Sequence, residues 1–246
     1  MDIGVFIFDT DYSINISELA RELEERGYES LFVPEHTHIP TSRRSPFPGG
    51  GELPKQYSHT LDPFVSLGFA AASTENIKIG TGICLLPQRD PIVTAKSIAS
   101  LDLMSKGRFV LGLGGGWNVD EMENHGVTYK TRFAMMKEHV LAMKSLWVDE
   151  QAEFHGEYIN FDKSWAYPKP VQKPYPPILM GGETDYTLRR VVDYCDGWFP
   201  RGRGGFDAGE SMQRLKNMAA ENGRDMNTLS VSVFGAPPNE DTINSY

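Results

Sequence analysis

The chain has 246 residues, 40% of them hydrophobic, and a formal net charge of −9. It is long enough to bury a substantial core, its acidic balance weighs against a nucleic-acid groove, and no apolar run approaches the roughly 18 residues that suggest a membrane span. Two distant cysteines, Cys84 and Cys195, suit a reducing cytoplasm better than a disulfide framework, and no basic segment precedes the first apolar run, so a secretory signal is not expected.

In chain order, short apolar runs alternate with amphipathic stretches, the pattern of parallel strands joined by helices. "IGVFIF" (3–8) reads as a first strand covered on both faces. The next helix opens at Asn15, with Glu18 at capping-box spacing and Ile16, Leu19 and Leu23 on one face. It stops near Gly27. "LFV" (31–33) is the second strand. Residues 39–60 are too rich in Pro, Gly and polar residues for an element and read as a long functional loop.

Asp62-Pro63 and Asp90-Pro91 each pair an N-cap with proline at the first helical position. "IKIGTGICLL" between them holds strand three. "RFVLGLGGGW" is strand four and its loop, after which no capped helix is expected to begin at once. Phe133, Met136, Val140, Met143 and Trp147 mark a long core-facing helix. Residues 150–177 read as a hairpin insertion. "PILMGG", "DGWFP" and "LSVSVFG" are strands five to seven, with helices over 184–195, 211–222 and from "NEDTINSY" onward. The expectation is a single domain, 1–246, folded as a (β/α)8 TIM barrel of about 250 residues, with the eighth βα unit missing from this chain.

In a parallel barrel, chemistry sits at the strand C-termini. The second strand ends in "PEHTHIP". His36 and His38 could be a metal pair, an acid–base station or plain loop residues. A metal reading would need ligands at later strand ends, and none of those presents a histidine. In "GLGGGW" the third fingerprint glycine would fall at Trp117. The run is therefore either a tight turn or a place where backbone approaches something flat, with Trp117 beside it. "MGGET" leads into a helix N-terminus, which suits a phosphate or an ordinary βα loop. Cys84 has no base beside it in sequence and reads as a buried thiol.

Three segments, "LFVPEHTHIP", "IKIGTGICLLPQRDPIVTAKSIASLDLMSKGRFVLGLGGGWNVDE" and "PPILMGGETDYTLRRVVDYCDGWFP", resemble the bacterial luciferase-like flavin and deazaflavin oxidoreductases, closest to the subgroup dependent on coenzyme F420. The resemblance implies a luciferase-like TIM barrel, commonly dimeric, with coenzyme F420 or FMN across the strand ends. It implies a cis peptide at Gly82–Ile83 under the ring, and Gly114, Gly115 and Gly116 against the cofactor. It further implies a phosphate-binding pair at Gly181 and Gly182, and His36 in acid–base work with Glu35 beside it. Some deazaflavin relatives carry an acidic glutamate where this chain has Trp117, which weakens the case for their sugar-phosphate chemistry.

The reading is a cytoplasmic, homodimeric oxidoreductase passing hydride between a flavin-type ring and a small organic substrate. With FMN it would instead be a monooxygenase. The competing classes are a metal-dependent hydrolase using His36 and His38, and a non-catalytic flavin-binding protein.

Overall fold

Strand β1 (Gly4–Phe6) is shorter than its apolar run suggests: Ile7 and Phe8 lie outside it, although the Ile7 N–H still donates to the Phe32 carbonyl at 3.0 Å. The computed structural model describes residues 1–203 and 206–244, in two compact units, 1–176 and 177–246.

In the first unit, α1 (Ile16–Glu25) is capped by Asn15, whose side chain accepts from the Ser17 N–H. Buried Ile16, Ala20 and Leu23 form its inner face, and Gly27 at φ +77° lets the chain turn away. It leads to β2 (Ser30–Val33), α2 (Pro63–Ala72), β3 (Lys78–Thr81), α3 (Pro91–Met104) and β4 (Phe109–Leu113). Strands β1 to β4 lie in sequential order, and the registers of the first three pairings are parallel, as the alternation predicts. The Asp-Pro starts of α2 and α3 are both present: Asp62 caps Phe64 and Val65, and Asp90 caps Val93.

Two expectations are corrected. The 39–60 segment contains one 3-10 turn, Lys55–Ser58. A capped helix does begin directly after the glycine run: α4 (Val119–Asn124), with Asn118 as its N-cap. Helix α5 (Arg132–Val148) then buries Met136, Val140, Met143 and Trp147, as their spacing requires. The Trp147 indole N–H donates to the Ala95 carbonyl at 3.0 Å, pinning α5 to α3. The 150–177 insertion supplies the antiparallel pair β5 (Ala152–His155) and β6 (Asn160–Ser164). Glu138 accepts from the backbone of Glu157, Tyr158 and Ile159 and so fixes the turn between them.

At the N-terminal end of the strands, the Arg108 guanidinium donates to the carbonyls of Ala71, Thr74 and Ile77. It thereby satisfies acceptors left open at and beyond the end of α2. That end of the unit is tied by structural bonds.

The second unit runs β7 (Ile178–Gly181), α6 (Asp185–Tyr194), β8 (Gly197–Phe199), α7 (Ala208–Glu221), β9 (Ser230–Val231) and α8 (Glu240–Asn244). Its three strands pair in parallel. Strand β9 has two residues where the apolar run suggested seven; pairing resumes only at an isolated bridge between Arg201 and Phe234. Among the described residues no helix is long and apolar enough to cross a membrane.

Candidate active site

Pro34 ends β2, and the next two side chains take different neighbours. The imidazole of His36 is buried, with Nδ1 2.8 Å from Glu121 Oε2. Glu121 is fully buried on α4, and its other oxygen accepts from the Thr37 N–H at 3.2 Å. Since a carboxylate accepts on both oxygens, this arrangement puts the imidazole proton on Nδ1 and leaves the lone pair on Nε2. Nε2 has no hydrogen-bond partner among the described residues. The His36 carbonyl accepts from Thr60 Oγ1 at 2.9 Å, tying the strand end to the close of the long loop.

Glu35 turns elsewhere. Its carboxylate accepts from the Leu85 N–H at 2.7 Å and from Arg89 Nε at 2.6 Å, and Arg89 also reaches Asp62 at 2.7 Å. Burial alone would lower the Arg89 pKa, but the neighbouring Glu35 carboxylate outweighs it and holds the guanidinium charged. Glu35 therefore anchors the loop after β3 and has no bond to His36. Within that loop Cys84 is completely buried. Burial first, and then the Glu35 charge, push its thiol well above the ordinary range, which keeps it protonated and unreactive.

The peptide between Gly82 and Ile83 is cis, at the place where the resemblance implies it. The Ile83 side chain leaves no room for a Cβ on Gly114, Phe133 leaves none on Gly115, and Met122 crowds Gly116, whose φ is +72°. Packing within the chain thus accounts for all three glycines. Trp117, next along, meets His36 edge-on at 5.8 Å between ring centroids. Tyr57 from the 3-10 turn lies 5.3 Å from His36, and Phe47 closes the group at 5.2 Å from Tyr57 and 6.1 Å from Trp117. The long loop and the β4 end therefore wall His36 with aromatic rings.

His38 does not join His36. Its Nδ1 contacts Thr37 Oγ1 and its Nε2 contacts Asn124, with His125 5.5 Å away. Among the described residues no group of three or more His, Cys, Asp and Glu side chains could hold a metal.

In the second unit, Gly182 has φ +117°, and a Cβ there would meet Thr187 Oγ1 at 2.8 Å. The Thr184 side chain caps α6 by accepting from the Thr187 N–H. Two carboxylates flank this turn, each already paired: Glu183 with Arg201 through two bonds of 2.9 and 2.8 Å, and Asp185 with Arg214 at 2.7 Å.

Sequence reasoning missed Glu121, Arg89 and Tyr57 as site residues. A signal for Glu121 was present: Asn118 followed three residues later by Glu is N-cap spacing, and the Asn118 side chain does accept from the Glu121 N–H. The preceding glycines masked it by suggesting a loop.

This geometry can be set beside known proteins. An uncharacterised protein of Mycobacterium tuberculosis (strain ATCC 25618 / H37Rv) is 42% identical over 229 residues, covering 92% of this chain and 80% of its own. An F420-dependent glucose-6-phosphate dehydrogenase of Nakamurella multipartita is 32% identical over 187 residues, 74% of this chain but 50% of that protein. The crystal structure of monooxygenase RslO1 from Streptomyces bottropensis superposes with a TM-score of 0.80 at 22% identity, over 95% of this chain and 70% of that one, a likeness of fold. The family model for luciferase-like monooxygenases matches residues 1–242, and the chain belongs to that family.

Proposed function

We propose that this oxidoreductase passes hydride between a flavin-type cofactor, coenzyme F420 in preference to FMN, and a small organic substrate, with His36 as the acid–base residue. The carrying observation is the buried His36–Glu121 pair at 2.8 Å. It orients the imidazole and leaves Nε2 without a partner among the described residues, on a ring enclosed by Tyr57 and Trp117. When an alcohol is oxidised, its carbon gives up hydride and Nε2 takes the hydroxyl proton; in reduction the same nitrogen returns it. The aromatic rings exclude water from that nitrogen.

Bound at the strand ends, F420 or FMN would supply the hydride chemistry, and reduced FMN would in addition react with oxygen. The residues present fit such a ring. Asp9 Oδ2, Thr10 Oγ1, the Gln88 amide and Asn118 Nδ2, in the segments that follow β1, β3 and β4, are buried without hydrogen-bond partners among the described residues, as befits a ligand with polar edges. In the second unit taken by itself, Gly181 and Gly182 before the α6 N-terminus would suit a phosphate. The preference for F420 is supported by the similarity to a dehydrogenase that uses it.

The (β/α)8 barrel, the single domain, the homodimer and the cytoplasmic setting expected from the sequence belong to this proposal. Exposed Val65 and Phe69 on α2, with Val93 and Met104 on α3, offer apolar surface for a dimer. The test is titration of purified protein with F420 and with FMN, followed by absorbance and fluorescence. Tight binding of F420 is expected, and binding of neither would sink the reading. His36→Asn should keep cofactor affinity and lose turnover; unchanged turnover would remove His36 from the mechanism.

A further inference from the structure

Arg43 and Arg44 are adjacent in the long loop but have opposite fates. Arg44 is paired through one nitrogen: Nη2 contacts Asp120 at 2.8 Å and Glu123 at 2.5 Å, and the backbone N–H donates to Asp120. Ser42 also donates to Asp120, at 2.6 Å. Arg44 thus fastens the loop to α4. Arg43 makes no ion pair among the described residues. Its guanidinium carbon lies 6.0 Å from the Trp117 ring centroid, and Nη1 is buried with no acceptor among the described residues. Its backbone sits at φ +48°, left-handed for a residue with a side chain. A strained backbone and an unanswered buried donor on one residue are costly features that persist where surrounding structure enforces them, often for a ligand.

Trp117 is also the ring set edge-on to His36, so Arg43 stands one aromatic ring from the proton-transferring nitrogen. We propose that Arg43 is a specificity-determining residue that pairs with a carboxylate on the substrate, whose apolar body lies against Phe47, Tyr57 and Trp117. This deepens the redox reading and rests on it for the word substrate. A guanidinium matches a carboxylate through two parallel bonds. A doubly charged phosphate would be half paired here, because Arg44 is already committed. The net charge of −9 opposes anions generally, which makes a local cation necessary for an acidic substrate. The carboxylates on the F420 tail share this chemistry and are the rival source.

The test is calorimetric binding of benzoate and its neutral analogue benzamide to the protein, with and without F420. Wild type should bind benzoate at least about tenfold more tightly. Arg43→Gln should abolish that preference with benzamide affinity unchanged, and Arg43→Lys should restore part of it. F420 affinity should stay within about twofold of wild type in both variants. Equal binding of the two probes by wild type, or a preference that survives Arg43→Gln, would overturn the proposal. So would a tenfold loss of F420 affinity in Arg43→Gln, which would assign the arginine to the cofactor tail. Failure of the wild type to bind either F420 or FMN refutes the redox reading instead, and the probe comparison on cofactor-free protein still decides the role of Arg43.

Discussion

Replacing Glu121 by Gln keeps the shape of the side chain and inverts the hydrogen-bond logic of the site. The Thr37 N–H points at one oxygen and His36 Nδ1 lies 2.8 Å from the other. In the glutamine variant only a carbonyl oxygen can accept from Thr37, so the amide NH2 faces the imidazole. Nδ1 must then accept, and the ring proton moves to Nε2, the nitrogen that should be the base. General acid–base catalysis contributes about 10²–10⁴-fold, or about 2.7–5.4 kcal/mol of barrier. A single-turnover rate lowered by that factor is therefore expected, with cofactor affinity and melting temperature close to wild type. Stopped-flow absorbance of the cofactor on mixing with substrate measures it. A rate within threefold of wild type would refute the tautomer argument, and with it the claim that Glu121 positions His36.

Two further outcomes test the supports around the site. Arg89→Met removes the cation facing the buried Glu35 carboxylate and should cost about 3–5 kcal/mol in urea unfolding, part of which Glu35→Met should return in the double variant. A loss below about 1 kcal/mol would mean the Leu85 N–H suffices for Glu35. For Glu183, burial raises the carboxyl pKa, but hydrogen bonds and charge from Arg201 outweigh it and leave it below its ordinary value. A depressed carboxylate stabilises the fold above its unfolded pKa of about 4.3 and loses that contribution as pH falls through the folded value. Wild type should therefore exceed Glu183→Gln in stability at pH 7, by less than about 1 kcal/mol because the pair is partly solvent-screened. The gap should narrow as pH falls through the lowered folded value; a gap that widened on acidification would contradict this account.

Much of the framework was legible locally. The Asp-Pro starts of α2 and α3 depend on bonds spanning three residues, and the α5 stripe depends on helical spacing, so each could be read without knowing the fold. The limits of β1 and β9 could not, because strand length is set by how far a neighbour's backbone continues to pair. The glycines after β4 were read as a tight turn or a place where backbone approaches something flat; in the fold, neighbouring side chains crowd all three. What fills the space, Ile83, Phe133 and Met122, comes from three other segments.

The candidate site divides in the same way. From sequence alone, His36 stands out as a titratable residue at a strand end, and the cis bond and glycine positions follow from the resemblance. Tertiary structure decided the partners. Glu121 reaches His36 across 85 positions, and Glu35, adjacent to His36 in sequence, is taken by Leu85 and Arg89. Of two neighbouring arginines, one is engaged by α4 and the other is left over Trp117. Propensity, capping and periodicity act within a few residues and so are written in the order of the chain. The proton position on an imidazole and the freedom of a guanidinium depend on which distant groups folding brings within 3 Å, and only the folded chain sets those distances.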